Sequence, residues 1–223
     1  MDQWENVAEI YDDHVGDTGD DVHQIVMHPP LENALGDYAG KTIVDFGSGN
    51  GYYDRMLAQR AKFVLGMEKS KRLLDFAKKR GVPENVRFIE VDLEQPLPDH
   101  GQFDIGLCTM TLQYMTLLDT VAKNMSQFIK PRGLLIAMVP HPAFDNPHPE
   151  KTRLRSAVAF EKRAKVKFWS RPLKEYVRHL ESAGFTDAKV KEISITPDMV
   201  QKIKRWQPFV GLPRFAVITM RKA

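Results

Sequence analysis

The sequence predicts one α/β domain, and three observations predict it. Apolar runs of strand length alternate with helical periods along most of the chain. One run, Ile43-Val44-Asp45-Phe46, breaks into glycines at 47, 49 and 51 before a helix, and acids stand where the next two strands end, at Glu68 and Asp92. A length of 223 residues suits a single core and is short for two.

Taken in order, Gln3 to His14 carries Trp4, Val7, Ala8, Ile10 and Tyr11 at helical spacing, and the acidic loop Gly16 to Asp21 reads as mobile. A second helical stretch around Asp21 to Met27, then Pro29-Pro30 and Leu31 to Leu35, leads to Gly40 and the first strand. Ile43 to Gly51 is that strand turning sharply into a helix, Tyr52 to Ala61. Glycine takes the left-handed angles of such a turn and lets a ligand lie against the main chain, while the first N–H groups of the helix hold a carboxylate or phosphate. A dinucleotide fingerprint, G-x-G-x-x-G, needs its third glycine at 52, where this chain has Tyr52.

Lys62 to Glu68 reads as the second strand. Glu68 stands about 20 residues beyond the glycines, where nucleotide-binding sheets meet a ribose, and a carboxylate accepts from both hydroxyls; an acid ahead of the Ser70 to Arg80 helix also suits that helix's N-terminus. Gly81-Val82-Pro83 stops the helix, and Val86 to Val91 closes on Asp92-Leu93, where Asp92 also reads as a turn former before Pro96. Phe103 to Cys108 is the fourth strand and runs into Thr109 to Tyr114 at the carboxyl edge, where α/β enzymes place their chemistry. A helix from Leu117 to Ile129 precedes Pro131-Arg132-Gly133 and the fifth strand, Leu134 to Val139. Pro140 to Pro149 is too proline-rich for anything but an irregular loop. Pro172 to Ala183 returns to helix and stops at Gly184; Ala188 to Ile195 and Phe215 to Met220 are the last strands, separated by a loop with Trp206 and Pro208.

An Asp two residues ahead of G-x-G-x-G resembles the first motif of the class I S-adenosylmethionine-dependent methyltransferases, of the small-molecule, type 11-like kind. The resemblance covers essentially the whole chain and is most specific from Ile43 to Leu93. It implies a Rossmann-like three-layer sandwich with strand order 3-2-1-4-5-7-6, strand 7 antiparallel. It also implies an N-terminal helical lid over about residues 1–36 and a cap inserted over about 141–171. The implied cofactor is S-adenosyl-L-methionine, with Asp45, Gly47, Ser48, Gly49 and Gly51 at the turn. Glu68 and Lys69 would stand at the ribose, Asp92 and Leu93 at the adenine, and Thr109 at the fourth strand's end. Tyr11 would pack over the cofactor, as a tyrosine does in relatives with a Tyr-Asp pair like Tyr11-Asp12; alone it reads as a core or rim aromatic. Members that methylate amines of DNA bases carry an Asp- or Asn-Pro-Pro-aromatic stretch where this chain has Thr109 to Tyr114, so DNA is not expected.

Methyl transfer needs positioning and exclusion of water, and a base only when the acceptor must lose a proton. The candidate bases are His141, just past the fifth strand and the one whose place on the sheet edge is predictable, with His14, His23, Asp145 and His148 further out. His14 and His23 are candidate substrate residues with Tyr114, Arg155 and Trp169. His141, Asp145 and His148 match no metal-ligand spacing, so no metal is expected. The charge is uneven: Lys151 to Lys174 holds nine Lys or Arg against Glu161 alone, net +8, which leaves −5 for the rest of a chain at +3. That window reads either as a solvated face or as a cap that attracts an anionic acceptor.

The single cysteine, Cys108, excludes a disulfide framework and fits a reducing compartment. No apolar stretch reaches the roughly 20 residues that span a bilayer, and Met1 to Glu9 lacks the pattern of a signal peptide, so a cytoplasmic protein is expected. The expected activity is methyl transfer to oxygen or nitrogen of a small molecule or short peptide. Three readings compete with it: an RNA methyltransferase using the basic window, an NAD-dependent oxidoreductase, and a cofactor-binding regulator without turnover.

Overall fold

The computed structural model describes residues 3–146, 148–160 and 163–223, without the side chains of Asp145 and Val158. The strands are β1 Thr42–Phe46, β2 Phe63–Glu68, β3 Val86–Glu90, β4 Phe103–Thr109, β5 Ile129–Pro140, β6 Arg153–Ala159, β7 Ala164–Ser170, β8 Phe185–Ser194 and β9 Pro213–Lys222. Seven of them form one sheet in the order β3-β2-β1-β4-β5-β9-β8; β1 to β5 run parallel, and β9 lies antiparallel between β5 and β8. In chain numbering the order reads 3-2-1-4-5-9-8 rather than 3-2-1-4-5-7-6, because β6 and β7 form an antiparallel hairpin of their own.

Successive residues of a strand face opposite sides, and a parallel sheet is buried on both. Ile43, Val64, Ile105, Leu107, Ile136 and Met138 pack on one side with Leu31, Leu35 and Leu57. Val44, Phe46, Leu65, Met67, Cys108, Leu135 and Ala137 pack on the other with Val121, Met125, Tyr176 and Leu180. The helices that supply these layers are α1 Gln3–Val15, α2 His28–Leu35, α3 Tyr52–Ala58, α4 Lys71–Lys79, α5 Leu118–Gln127, α6 Pro142–Asp145, α7 Leu173–Ser182 and α8 Pro197–Lys202. A π-helical turn, Val22–Met27, leads into α2, whose first turn tolerates Pro29 and Pro30 because its N–H groups have no helical partner to lose.

Two segments differ from expectation. The loop at 16–21 is docked: Gly19, at φ +76°, lies so close to Tyr52 that a Cβ would stand 2.7 Å from the ring. The Tyr52 hydroxyl donates to Thr18 O at 3.0 Å, and Arg80 pairs with Asp17 at 2.6 Å. The proline-rich stretch after β5 starts with the short helix α6, not a loop, because Pro142 sits in its first turn and His141 Nδ1 accepts the Ala143 N–H at 3.2 Å.

Helix α1 and the β6–β7 hairpin are joined to each other and to the sheet. Gln3 exchanges two hydrogen bonds with the backbone of Lys167, each 2.9 Å, and Arg163 pairs with Asp13 at 2.9 Å. On the sheet side, Ser70 Oγ, which caps α4, donates to Glu5 Oε2 at 2.6 Å. Buried Arg171, just past β7, donates to Leu112 O and to Met115 O and pairs with Glu175. The hairpin is thereby fastened to the loop after β4.

Candidate active site

A cavity of about 900 Å³ opens at the carboxyl ends of β1, β2 and β4, between the sheet, α1, the β6–β7 hairpin and the segment before β9. Its floor is the glycine turn. Gly47, Gly49 and Gly51 have φ of 90°, 57° and 73°, the left-handed region that a side chain strains to enter. A Cβ on Gly47 would collide with Thr111, one on Gly51 would stand 2.6 Å from Phe88, and one on Gly49 would stand 3.4 Å from Tyr11. Tyr11 therefore lies directly over the turn. It meets Trp4 edge-on at 5.6 Å and Phe160 at 5.6 Å, and Trp4 meets Tyr114 at 4.9 Å, so α1, the hairpin tip and the loop after β4 share one aromatic roof.

Glu68 joins two loops. Its carboxylate accepts the Gly49 N–H at 3.0 Å on one oxygen and the Lys69 and Ser70 N–H groups at 2.9 and 2.8 Å on the other. Lys69 pairs with Asp92 at 2.8 Å, and Asp92 also accepts the Glu94 N–H at 3.0 Å, so the turn-forming reading of Asp92 holds together with its place in the cavity wall. Tyr11, Gly47, Ser48, Gly49, Glu68, Lys69, Asp92, Leu93 and Thr109 all line the cavity. The buried polar atoms Ser48 Oγ, Thr109 Oγ1, Gln113 Oε1 and Tyr53 Oη have no hydrogen-bond partner among the described residues, and all four residues line it too. At a cavity wall such buried polar atoms are open to hydrogen bonds from a ligand or from water.

Other expected residues lie elsewhere. Asp45 and Gly51 are absent from the lining: Asp45 is buried behind the turn, and Gly51 is a glycine to make room for Phe88 on β3. His141 is also outside it, turned into the α6 cap with its Nε2 3.5 Å from Glu192. Trp169 falls on the outer face of the hairpin, and Arg155, paired opposite Phe168, lies outside the lining. Glu161, Lys162 and the Asp145 side chain lie outside the described residues, and among those described no cluster of His, Cys, Asp and Glu is arranged to hold a metal.

Among the described residues, none of the basic window's lysines and arginines is in the cavity lining, although Arg155 shares the inner face of the hairpin with Phe168. What the window contributes to the lining is Ala157, Ala159, Phe160, Val166 and Phe168, while Lys165 and Lys167 are exposed on the alternate positions of β7. Alternation along a hairpin puts apolar residues in and lysines out. Cations reach the cavity from the C-terminal side instead: Arg205 and Arg214 line it with Trp206 and Phe215, and Arg214 lies over the rings of Phe144 and Phe215 at 4.2 and 4.8 Å. Nothing in the spacing of Trp206 and Pro208 points to that role.

His14, His23 and Tyr114 do line the cavity, and Asp20, which sequence reasoning missed, joins the two histidines. His14 Nε2 is 2.8 Å and His23 Nδ1 2.6 Å from opposite Asp20 oxygens. The signal was present in the order His14, Asp20, His23 within ten residues of the chain.

Asp45 and Asp54, on α3, form a buried acid pair beneath the turn. Burial raises both carboxyls; Asp45 is further raised by the charges of Asp54 and Glu68, and Asp54 reaches about 7. The folded protein thus keeps protons that the unfolded chain releases near pH ~4, and its stability is expected to fall as pH rises from about 4 through 7. Urea unfolding of Asp54→Asn should show a flatter dependence across that window and greater stability than the parent at pH 8; parallel pH curves would remove the acid pair as the cause.

Residues 44–137 match a family model described as a methyltransferase domain. A ubiquinone biosynthesis O-methyltransferase of Coxiella burnetii is 32% identical over 98 residues, 43% of this chain and 42% of that protein. A tRNA U34 carboxymethyltransferase of Aliivibrio fischeri is 24% identical over 196 residues, 83% of this chain and 55% of that protein. The chain thus spans about half the length of these curated relatives. A solved structure of a putative S-adenosylmethionine-dependent methyltransferase from Listeria monocytogenes shares the fold at a TM-score of 0.72 and 22% identity, over 87% of this chain and 95% of its own. No described helix is long and apolar enough to cross a membrane. With its antiparallel β9 between β5 and β8 and its spaced glycines, the chain has the fold of solved S-adenosylmethionine-dependent methyltransferases, and the family model places a methyltransferase domain across its first five strands.

Proposed function

We propose that the protein transfers a methyl group from S-adenosylmethionine to a small-molecule or peptide acceptor, with residues 1–36 as a lid and 141–171 as a cap. One observation carries the reading: a glycine turn whose Gly49 amide is braced by Glu68, opening on a cavity edged by the unmatched polar atoms of Ser48, Thr109 and Gln113. Bound there, the cofactor supplies a methyl carbon already made electrophilic by positive sulfur. The chain does the rest. Glu68 accepts ribose hydroxyls, Asp92 and Leu93 flank the adenine, and Tyr11 closes over the turn. The aromatic roof and the apolar inner face of the hairpin exclude water, which leaves transfer to depend on orientation.

The apolar cap face supports a small acceptor with an apolar body rather than an RNA backbone, since the window's charge lies outside the cavity lining. A thermal-shift assay tests the cofactor. At about 100 times Kd, S-adenosylmethionine or S-adenosylhomocysteine is expected to add about 2.7 kcal/mol and so ~5–10 °C to Tm, and NAD nothing. An equal shift with NAD, or none with either sulfur ligand, would overturn the reading.

A further inference from the structure

We infer that His23, oriented by Asp20, is the base that deprotonates the methyl acceptor, and that the acceptor is an apolar-bodied molecule with an acidic hydroxyl, a phenol or an enol. The inference rests on the methyl-transfer reading above and names the substrate class of that same site.

His14, Asp20 and His23 come from α1, the docked loop and the π-helical turn, and all three face the cavity with only 13–17% of each side chain exposed. Although burial opposes it, hydrogen bonds and charge from His23, with a smaller contribution from His14, hold Asp20 down at about 2. A carboxylate only accepts, so each imidazole gives it an N–H, and in its neutral form each ring carries the lone pair on its other nitrogen. For His14 that nitrogen is Nδ1, beside its own main chain, because its tip nitrogen is spent on Asp20. For His23 it is Nε2, the tip. This is the logic of a histidine made a base by an acid behind it. The titratable groups around His23 are Asp20 on its own segment, His14 from α1, His28 from α2, and Tyr52 and Tyr53 from α3. Burial raises both tyrosines and lowers His28, so those neighbours stay neutral around pH 7.

The rest of the wall selects the acceptor. Ala157, Ala159, Val166 and Phe168 offer it no hydrogen bond from their side chains, and Arg205 and Arg214 oppose an acceptor that arrives as an ammonium. A neutral hydroxyl that turns anionic as it reacts suits both. In the step, the hydroxyl proton passes to His23 Nε2. The oxygen's electron pair forms the O–CH3 bond as the S–CH3 bond breaks, with its pair left on sulfur, which becomes a neutral thioether. The imidazolium, stabilised by Asp20, then loses its proton to water.

The full-length protein would be incubated with S-adenosylmethionine and, in turn, 2-naphthol, catechol, 4-nitrocatechol and benzylamine, with methyl incorporation read by mass and cofactor binding by calorimetry. Transfer to the hydroxyl compounds and not to benzylamine is expected. His23→Ala should lower kcat for 2-naphthol by about 10²–10⁴-fold with cofactor affinity unchanged. For 4-nitrocatechol, already ionised at the assay pH, the loss should be under about tenfold, because the proton to be removed is gone. Asp20→Asn should lower kcat more than it changes KM and should shift the acidic limb of the kcat profile, which a merely structural contact would not move. Intact cofactor binding with benzylamine preferred, with no hydroxyl compound methylated, or with equal losses for both phenols in His23→Ala would overturn this proposal alone. Failure to bind the cofactor would overturn the underlying reading and this one with it.

Discussion

Asp12→Ala is expected to destabilise the protein by about 3 kcal/mol and to lower cofactor affinity at least tenfold, although Asp12 is not part of the cavity lining. Asp12 is a buried acid on α1 that receives two 2.8 Å bonds from Arg80, at the end of α4, and one of 2.9 Å from Asn50, in the glycine turn. Arg80 outweighs the effect of burial and holds the Asp12 carboxyl below its usual range. Removing one member of a buried pair costs about 3–5 kcal/mol; the low end applies because Arg80 is 20% exposed and keeps Asp17. Affinity follows because Tyr11, the next residue on the same turn of helix, then loses its fixed place over Gly49. Chemical denaturation and calorimetry with S-adenosylhomocysteine measure the two effects separately. A folded variant that binds as tightly as the parent would show that α1 is a surface helix and not a lid.

Sequence periodicity was enough for the centre of the sheet because its central strands are buried on both faces, so Leu134 to Val139 is a continuous apolar run bounded by Gly133 and Pro140. It was not enough for the β6–β7 hairpin. Arg153 to Ser170 covers the site with one face only, and its lysines and arginines, counted as a block, look like a charged window when alternation in fact sends Lys165 and Lys167 outward. Charge summed along a strand says nothing about the side it faces.

The sheet-side wall of the cavity was legible because its residues stand at strand ends, where chain position fixes spatial position. The opposite wall was not. His23 and Asp20 are brought to the cavity by Gly19 and Tyr52, a contact 33 residues apart in the chain, and Arg214 and Trp206 by the return of β9 into the sheet. His141 illustrates the converse: its place at the end of β5 was predictable, but a histidine ahead of proline had a cap to make, and capping turned it away from the cavity.

Glu68→Ala is expected to act twice, and the two effects are separable. Without ligand, the variant leaves the Gly49, Lys69 and Ser70 N–H groups without their acceptor. An unsatisfied buried donor costs about 1–3 kcal/mol, so a loss of at least ~2 kcal/mol in apo stability should be measurable by urea unfolding even if water enters from the cavity. With ligand, the ribose contact proposed for the carboxylate predicts a second loss that bracing alone does not produce. Adenosine should bind the parent more tightly than 2′,3′-dideoxyadenosine, by on the order of tenfold, because the hydroxyls donate to Glu68. In Glu68→Ala that preference should disappear while the affinity for the dideoxy compound changes little, the measurement being a ligand-and-mutant cycle by calorimetry. If instead both nucleosides weaken by the same factor, Glu68 shapes the turn without touching the ribose, and the two loops it ties together are its whole contribution.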